Sequence, residues 1–437
     1  MGALAAVLHA SGRRVSGTDR DPQLAARLAA AGIAAMSDTA AAVLPEELDC
    51  LVYSDAVSDD DPQRQAARLR GIRQVSYSRA LGAWLADRQA VGVAGTHGKS
   101  TTAHLLAAIL AADRRDPSTV IGARRPDQPH GGRLGHGQHT VVEACEYRRN
   151  FRHLPLRAAI LLSIEADHFD CFADLNEVEA AFAARIAQLP ADGLLVALWD
   201  CDSTRRLAAR AACRVVTCGL RRSAHWRAEG LSAHQGRYAF WLCAGPHRVG
   251  RVQLAIPGRH NVQNAVAAAA LAGELGVPGG VITRSLSQFA GVARRLECHT
   301  LENAPLVDDY AHHPTEIRAA LAAVREMHPG RWLRCVFQPH QHSRTVRLLD
   351  ELARSLQNAD EVWIAPIDRV REGPPLPTDV TAADLARRVT MLGTRARAVH
   401  REGLDCRLLA AERKGDVQVI LGAGEIGKLV DELVERV

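Results

Sequence analysis

Apolar and polar positions alternate along the chain in a way that predicts repeated strand–helix units. In the first 88 residues, apolar runs at 14–18 and 49–53 predict strands, and helical patterns at 3–10 and 22–31 accompany them. Such alternation is typical of a parallel sheet with helical crossovers. The chain begins inside a helix, whereas a doubly wound nucleotide-binding domain ordinarily opens with a strand and a glycine-rich turn. We therefore expect the first strand to be missing.

The same alternation continues through two further segments, 89–296 and 297–437. In the middle segment we predict three strands and two long helices, at 90–94, 140–143, 158–164, 100–112 and 262–275. In the last segment we predict three strands and a final helix, the strands at 334–338, 361–365 and 417–421. The polar stretch 124–137 and the Pro-rich stretch 373–377 are candidate linkers. The chain is therefore expected to contain three α/β segments, 1–88, 89–296 and 297–437.

Composition narrows the class of protein. The 437 residues are 47% apolar and 24% charged, the profile of a globular protein large enough for several domains. The net charge is only +5 and no dense run of Lys and Arg occurs, which argues against a nucleic-acid partner. No stretch approaches the roughly 20 apolar residues that span a bilayer. The ten cysteines are scattered without a CxxC pair, so we expect reduced thiols and a cytoplasmic protein without a signal peptide.

The most informative stretch is Gly95-Thr96-His97-Gly98-Lys99-Ser100-Thr101, which lies between a predicted strand and a predicted helix. A glycine-rich loop in this context directs backbone N–H groups at phosphate oxygens, and the helix start adds its positive dipole end. Lys99 can offset charge on the outer phosphates, and the hydroxyl of Ser100 or Thr101 can ligate Mg²⁺. The loop departs from the strict GxxxxGK[ST] pattern because Gly92 lies one position too far upstream.

Acidic and imidazole side chains follow two other strands of the middle segment. Glu143 ends the predicted strand 140–143, and Asp167-His168 comes just after the strand 158–164. Ligands of α/β proteins bind at the carboxyl ends of strands, so these side chains could hold a second metal ion beside the loop. Taken singly, each is more typical of a surface or capping residue.

Two asparagines open the Ala-rich helix in the run His260-Asn261-Val262-Gln263-Asn264. Asn261 and Asn264 are three residues apart and share one helical face. Asn261 could be an N-cap, or the pair could contact an adenine edge or a ribose. The sequence leaves both interpretations open.

The last segment contains two unusually polar runs after predicted strands, Asp308-Asp309-Tyr310-Ala311-His312-His313-Pro314 and Phe337-Gln338-Pro339-His340-Gln341-His342-Ser343-Arg344-Thr345. Each is a candidate site, and a solvated loop is the alternative. Gly422-Ala423-Gly424-Glu425-Ile426-Gly427 is similar to a dinucleotide fingerprint, but this far from the N-terminus it is weak evidence for NAD.

These motifs occur in the order seen in the Mur ligases, which the chain resembles over nearly its whole length. The resemblance rests on five motifs, GTHGKST at 95–101, HNVQN at 260–264, Arg294-Arg295, DDYAHHP at 308–314 and FQPHQHSRT at 337–345. It implies an α/β chain of three domains. They are a UDP-sugar-binding Rossmann-like domain over 1–88, a central P-loop ATPase-type domain over 89–296 and a C-terminal Rossmann-like ligase domain over 297–437.

The resemblance also implies roles for individual residues. The loop residues Gly95, Thr96, His97, Gly98, Lys99, Ser100 and Thr101 would bind ATP, with Lys99 on the phosphates, and Asn261 and Asn264 would contact adenine. Ser100 or Thr101, Glu143 and His168 would hold two Mg²⁺ ions. Arg295 and Asp309 would complete the nucleotide site. Tyr310, His312, His340 and Arg344 would line the alanine and muramyl end.

The implied activity is ATP-dependent ligation of L-alanine to the carboxylate of UDP-N-acetylmuramate through an acyl phosphate, by a monomer or homodimer. Cys145 and Arg148 stand where the family usually has acids, and Gln341 replaces a basic residue. Three alternatives remain open. They are a muropeptide-recycling ligase acting on the same sugar nucleotide, a non-catalytic Mur-like binding protein and an NAD-dependent oxidoreductase.

Overall fold

The computed structural model describes residues 1–37, 44–125, 128, 130–301, 304–370, 372–405, 408 and 415–435. They form two compact units, each assembled from three stretches of the chain. The first unit contains Met1–Ile164, Glu179–Trp226 and Ala267–Ser285, and the second contains Glu165–Val178, Arg227–Val266 and Leu286–Val437. The predicted domain boundaries after residues 88 and 296 stay predictions. No helix within the described ranges has the length and apolar character needed to cross a bilayer.

Residues 1–37 and 44–85 alternate between strands and helices, and the elements predicted at 3–10, 14–18, 22–31 and 49–53 are among them. In chain order the elements are α1 (Gly2–Ala10), β1 (Ser16–Thr18), α2 (Pro22–Ala30), β2 (Ala34–Met36), β3 (Cys50–Tyr53), α3 (Pro62–Leu69), β4 (Arg73–Ser76) and α4 (Tyr77–Leu85). Strands β1 and β2 pair in parallel, and so do β3 and β4. Asp21 and Asp61 accept backbone N–H bonds at the starts of α2 and α3, and each is followed by a proline, which is favoured at the first helical position.

The first unit continues into a sheet with the phosphate loop at its centre. Its elements are β5 (Gln89–Ala94), α5 (Lys99–Ala112), β6 (Ser118–Val120), β7 (Gly132–Arg133), β8 (His139–Glu143), β9 (Ala158–Leu161), β10 (Leu194–Leu198), α7 (Asp202–Ala208) and β11 (Arg214–Gly219), with α6 (Leu175–Ile186) between β9 and β10. The strand order is β11-β10-β9-β5-β8-β6-β7. All pairs are parallel except β6–β7. Strand β5 therefore lies between β8 and β9, and the carboxyl ends of all three strands meet at one edge.

The chain then forms a run of long strands and two helices before the C-terminal sheet. These elements are β12 (Trp226–His234), β13 (Arg237–Ala244), β14 (His247–Pro257), α8 (Arg259–Glu274) and α9 (Gly279–Gln288). Strands β13 and β14 form an antiparallel hairpin. Helix α8 confirms the helix predicted at 262–275 but begins three residues earlier.

The second unit contains a six-stranded sheet with an apolar core on each face. Its elements are β15 (Glu297–Thr300), β16 (Pro305–Asp309), α10 (Pro314–Met327), β17 (Leu333–Phe337), α11 (His342–Arg347), α12 (Leu349–Ser355), β18 (Glu361–Ile364), α13 (Ala382–Met391), β19 (Arg395–Ala398), β20 (Val417–Leu421) and α14 (Gly427–Glu435). The order is β15-β16-β20-β17-β18-β19, and only β15 runs antiparallel to its neighbour. Val419 and Leu421 pack into one core while Ile420 packs into the other, as the two-residue period of a strand requires.

Candidate active site

The loop after β5 is held in a conformation that requires glycine. Gly95 has φ 133° and Gly98 has φ 81°, both in the region that L-residues with side chains rarely adopt. A Cβ added at Gly95 would lie 2.7 Å from Cβ of Leu162. The N–H of Thr96 donates to the carbonyl of Ser163 at 2.7 Å, which ties the loop to the end of the neighbouring strand. The strand–loop–helix context predicted for a phosphate-binding loop is confirmed.

The ammonium of Lys99 is held by a buried carboxylate that the sequence did not single out. Nζ of Lys99 donates to both oxygens of Glu146, at 3.0 and 3.1 Å, and to the carbonyls of Gly95 and Thr96, at 2.6 and 3.1 Å. The Glu146 side chain is only 2% exposed and that of Lys99 is 15% exposed. Burial alone would lower the pKa of Lys99, but the charge of Glu146 outweighs it, and the pKa lies above its ordinary value. Lys99 is therefore cationic and committed to Glu146 in this structure.

Ser100 and Glu143 form a second polar pair beside Lys99. Oγ of Ser100 donates to Oε1 of Glu143 at 2.7 Å, while Oε2 of Glu143 accepts the backbone N–H of Gly122. Thr101 is buried on the first turn of α5. Hydroxyl and carboxylate oxygens are the ligands that Mg²⁺ prefers, so the pair fits the predicted metal set. His168 belongs to the second unit, and its part in that set stays a prediction.

Cys145 and Arg148, which stand where the family usually has acids, lie in a bent segment after Glu143. Arg148 and Arg149 have φ of 51° and 57° inside the 3₁₀ helix Tyr147–His153. Nη1 of Arg148 donates to the carbonyl of Asp55 at 2.9 Å. Arg148, which replaces an acid of the family pattern, therefore contacts the turn after β3. Cys145 is exposed at the start of this segment.

In the second unit, Asp309 is buried at the end of β16 and receives two backbone N–H groups. Its oxygens accept from Leu296 at 2.7 Å and from Ala311 at 2.8 Å. Burial raises the pKa of Asp309 to about 6 in spite of Arg295. The guanidinium of Arg295 lies 4.8 Å from the ring centroid of Tyr310, within range of a cation–π contact. Arg295, Asp309 and Tyr310 thus lie at one end of β16, and the part of Arg295 and Asp309 in the nucleotide site stays a prediction.

Arg344 forms an ion pair with Asp167, 177 positions away in the sequence. Nε of Arg344 donates to Oδ1 of Asp167 at 2.8 Å, and its Nη1 lies 3.1 Å from the carbonyl oxygen and 3.2 Å from Nδ1 of His340. Both charged side chains are nearly fully buried. Burial alone would raise the pKa of Asp167, but Arg344 holds it well below its usual range. His168, next in the chain, adopts a left-handed φ of 55°.

His312 lies close to this ion pair. Its ring centroid is 5.9 Å from that of His340 and 5.6 Å from that of Tyr310. Burial lowers the pKa of His312 to about 4, because the nearby Glu316 only partly offsets it, so the imidazole is neutral at pH 7. Tyr310, His312, His340 and Arg344 therefore lie close together, and their contact with the alanine and muramyl end stays a prediction. Gln341, at a φ of 68°, is buried.

The two asparagines of α8 are buried and joined to each other. Nδ2 of Asn261 donates to the carbonyl of Pro257 at 2.7 Å, and Nδ2 of Asn264 donates to Oδ1 of Asn261 at 3.0 Å. The N-cap interpretation of Asn261 is wrong, because α8 begins at Arg259 and Asn261 is its third residue. A contact with adenine stays a prediction.

The glycine-rich run 422–427 after β20, which is similar to a dinucleotide fingerprint, is contacted by the side chain of Arg294. Nη2 of Arg294 donates to the carbonyl of Gly422 at 2.6 Å. A Cβ added at Gly427 would lie 2.4 Å from Cζ of Arg294. The guanidinium thus covers the glycines that a dinucleotide would approach, which argues against the oxidoreductase alternative.

Comparisons with known proteins match this architecture. Family models match the chain over residues 1–89 (Mur ligase family, catalytic domain), 93–272 (Mur ligase middle domain) and 294–424 (Mur ligase, glutamate ligase domain). The chain belongs to the Mur ligase family. The predicted resemblance and the α/β fold class are confirmed.

Individual members of the Mur ligase family align along almost the full chain. The UDP-N-acetylmuramate–L-alanine ligase of Methylobacillus flagellatus is 36% identical and is matched over 98% of this chain and 92% of its own length. The enzyme of the same name from Desulfitobacterium hafniense is 37% identical, with 99% and 97% covered. The crystal structure of UDP-N-acetylmuramate-alanine ligase from Thermotoga maritima gives a TM-score of 0.85 at 24% identity, covering 100% of this chain and 96% of that one. That structure has the same fold.

Proposed function

We propose that this chain is an ATP-dependent ligase that joins L-alanine to the carboxylate of UDP-N-acetylmuramate in peptidoglycan precursor synthesis. The observation that carries the proposal is the phosphate loop after β5, with a buried cationic lysine, in a chain 36–37% identical to two ligases of that name over nearly its full length. The nine cysteines in the described part of the chain are free, which favours a cytoplasmic location.

The chemistry requires that a carboxylate be converted into an acyl donor. A carboxylate oxygen of the sugar nucleotide attacks the γ-phosphorus of ATP, ADP leaves, and an acyl phosphate results. The unprotonated amine of alanine then attacks the acyl carbon, phosphate leaves, and the amide bond forms. Positioned charge is the main contribution that a protein makes to phosphoryl transfer. Lys99, supported by the backbone N–H groups of the loop, supplies that charge.

Magnesium would be held by oxygen ligands next to the lysine. Ser100 and Glu143 are the best-supported ligands because their oxygens already lie within hydrogen-bond distance of each other. Thr101 and His168 join them by resemblance to the family. When bound, Mg²⁺ neutralises part of the phosphate charge.

The amino-acid and muramyl end would lie in the second unit. Tyr310, His312, His340 and Arg344 supply aromatic, imidazole and guanidinium groups there, and Arg344 is the cation that would attract the alanine carboxylate. Its pairing with Asp167 fixes the guanidinium plane. Asn261 and Asn264 would contact adenine, with Arg295 and Asp309 completing the nucleotide site.

The choice of amine separates this proposal from a muropeptide-recycling ligase. Purified chain is incubated with ATP, Mg²⁺ and UDP-N-acetylmuramate, together with either L-alanine or the tripeptide L-Ala-γ-D-Glu-meso-diaminopimelate, and the products are identified by mass. We expect the alanine adduct and little tripeptide adduct. A dominant tripeptide adduct would favour the recycling alternative, and no adduct with either amine would favour a binding protein.

A further inference from the structure

The contacts of Lys99 leave none of its hydrogen-bond donors free. An ammonium group has three N–H donors. In this structure four oxygen atoms lie within 3.1 Å of Nζ, namely the carbonyl oxygens of Gly95 and Thr96 and both carboxylate oxygens of Glu146. A phosphate oxygen can reach Lys99 only if one of these acceptors gives up its donor.

Glu146 is the acceptor that can yield. The two carbonyls belong to the loop backbone, which is fixed by the left-handed glycines and by the bond from Thr96 to Ser163. Glu146 instead reaches Lys99 through a side chain, which can rotate. Its carboxylate also repels a phosphate that approaches the same cation.

We propose that Glu146 is a positioning residue that holds Lys99 in the loop when no nucleotide is bound and competes with the phosphates of ATP for it. Glu143 and Glu146, three residues apart, each hold a different residue at the start of α5. Glu143 accepts from Ser100 and Glu146 accepts from Lys99. The inference rests on the proposed function, because it takes the loop to be the ATP site.

The expected consequence is that removing the charge of Glu146 tightens ATP binding. In Glu146→Gln the side-chain shape is kept while the competing ion pair is lost. The dissociation constant for ATP should fall by about tenfold, the factor that corresponds to the weaker close charge pairs measured at interfaces. The KM for ATP should fall with it, while the KM for UDP-N-acetylmuramate stays unchanged. A merely structural role would not separate the two constants in this way.

The test measures ATP binding by titration calorimetry in full-length chain carrying Glu146→Gln, Lys99→Met or both substitutions. Glu179→Gln is the matched control, because Glu179 pairs with Arg206 elsewhere in the first unit. If Lys99→Met does not fold, the double variant replaces it, because the double variant removes both charges of the pair.

Tighter binding in Glu146→Gln that disappears when Lys99 is also replaced, with Glu179→Gln unchanged, is the expected result. Weaker or unchanged binding in Glu146→Gln, with binding still lost when Lys99 is replaced, would overturn the inference and leave the loop assignment standing. ATP binding that does not depend on Lys99 at all would overturn both the inference and the proposed ATP site.

Discussion

Replacing Lys99 with methionine should destabilise the first unit as well as remove activity. The substitution keeps the length of the side chain but removes the cation that donates to both carboxylate oxygens of Glu146. The Glu146 carboxylate is 2% exposed, so water cannot replace the lost partner without a rearrangement. The variant therefore keeps the buried carboxylate but loses the ion pair that offsets the cost of burying it.

The size of the effect follows from the burial of the pair. Breaking a buried ion pair by removing one partner costs roughly 3–5 kcal/mol. Since 15% of the Lys99 side chain is exposed, we take a lower range of about 2–4 kcal/mol for the free energy of unfolding. For a unit of this size the melting temperature should fall by on the order of 5–10 °C.

Neutralising Glu146 as well should restore the stability that Lys99→Met loses. In the double variant Lys99→Met/Glu146→Gln both charges of the pair are removed, and replacing a buried ion pair with neutral groups is often nearly neutral in stability. We therefore expect the double variant to lie within about 1 kcal/mol of the parent while remaining inactive. Urea denaturation followed by circular dichroism gives the free energy of unfolding of the four proteins of this double-mutant cycle, namely the parent, Lys99→Met, Glu146→Gln and the double variant.

A Lys99→Met variant as stable as the parent would refute this reasoning. So would a double variant that is less stable than Lys99→Met. Either result would mean that water or another cation reaches Glu146 once Lys99 is gone.

The remaining predictions concern other parts of the candidate site. Burial raises the pKa of Asp309 to about 6, so between pH of about 4 and 6 the folded chain keeps a proton that the unfolded chain has lost, and stability falls as pH rises through that window. The free energy of unfolding of Asp309→Asn, measured relative to the parent, should therefore be about 2–3 kcal/mol higher at pH 8 than at pH 4. A urea midpoint that differs from the parent's by the same amount at both pH values would contradict this. Gly95→Ala should lower the free energy of unfolding by more than about 2 kcal/mol and abolish ATP binding, because the added Cβ lies 2.7 Å from a neighbouring atom at a φ of 133°. Gly280→Ala is the control, because the space around Gly280 is open, and its melting temperature should equal the parent's or lie slightly above it. Arg344→Lys should lower the free energy of unfolding by about 2 kcal/mol, because lysine cannot reproduce the planar guanidinium. A double-mutant cycle with Asp167→Asn should show a coupling of about 1–2 kcal/mol. Purely additive losses of stability would mean that the ion pair does not stabilise the fold.

Local features of the fold could be predicted from the sequence because they depend on short-range patterns. The phosphate loop is recognisable from its glycines, Lys99 and the apolar strand before it, and β5 and α5 confirm that setting. Strands at 50–53 and 417–421 follow from apolar runs in the same way. The strand predicted at 158–164 ends at Leu161, because the following residues leave the sheet to hold the loop.

Pairings between distant residues could not be predicted. Nothing in the sequence near Arg344 indicates Asp167, because only the fold brings the two together. Glu146 is not among the residues predicted from the sequence, although an acid three residues after the strand-end carboxylate Glu143 is a signal that identifies it as a candidate. The N-cap interpretation of Asn261 failed because the helix begins before the apolar period becomes visible.

The central claim, that the chain is an alanine-adding ligase, is tested most directly by phosphate release from ATP. Purified chain is supplied with Mg²⁺ and UDP-N-acetylmuramate, and release is followed with and without L-alanine. We predict release that requires both the sugar nucleotide and alanine and that is lost in Lys99→Met/Glu146→Gln. Release that is absent, or that is indifferent to alanine, would contradict the account.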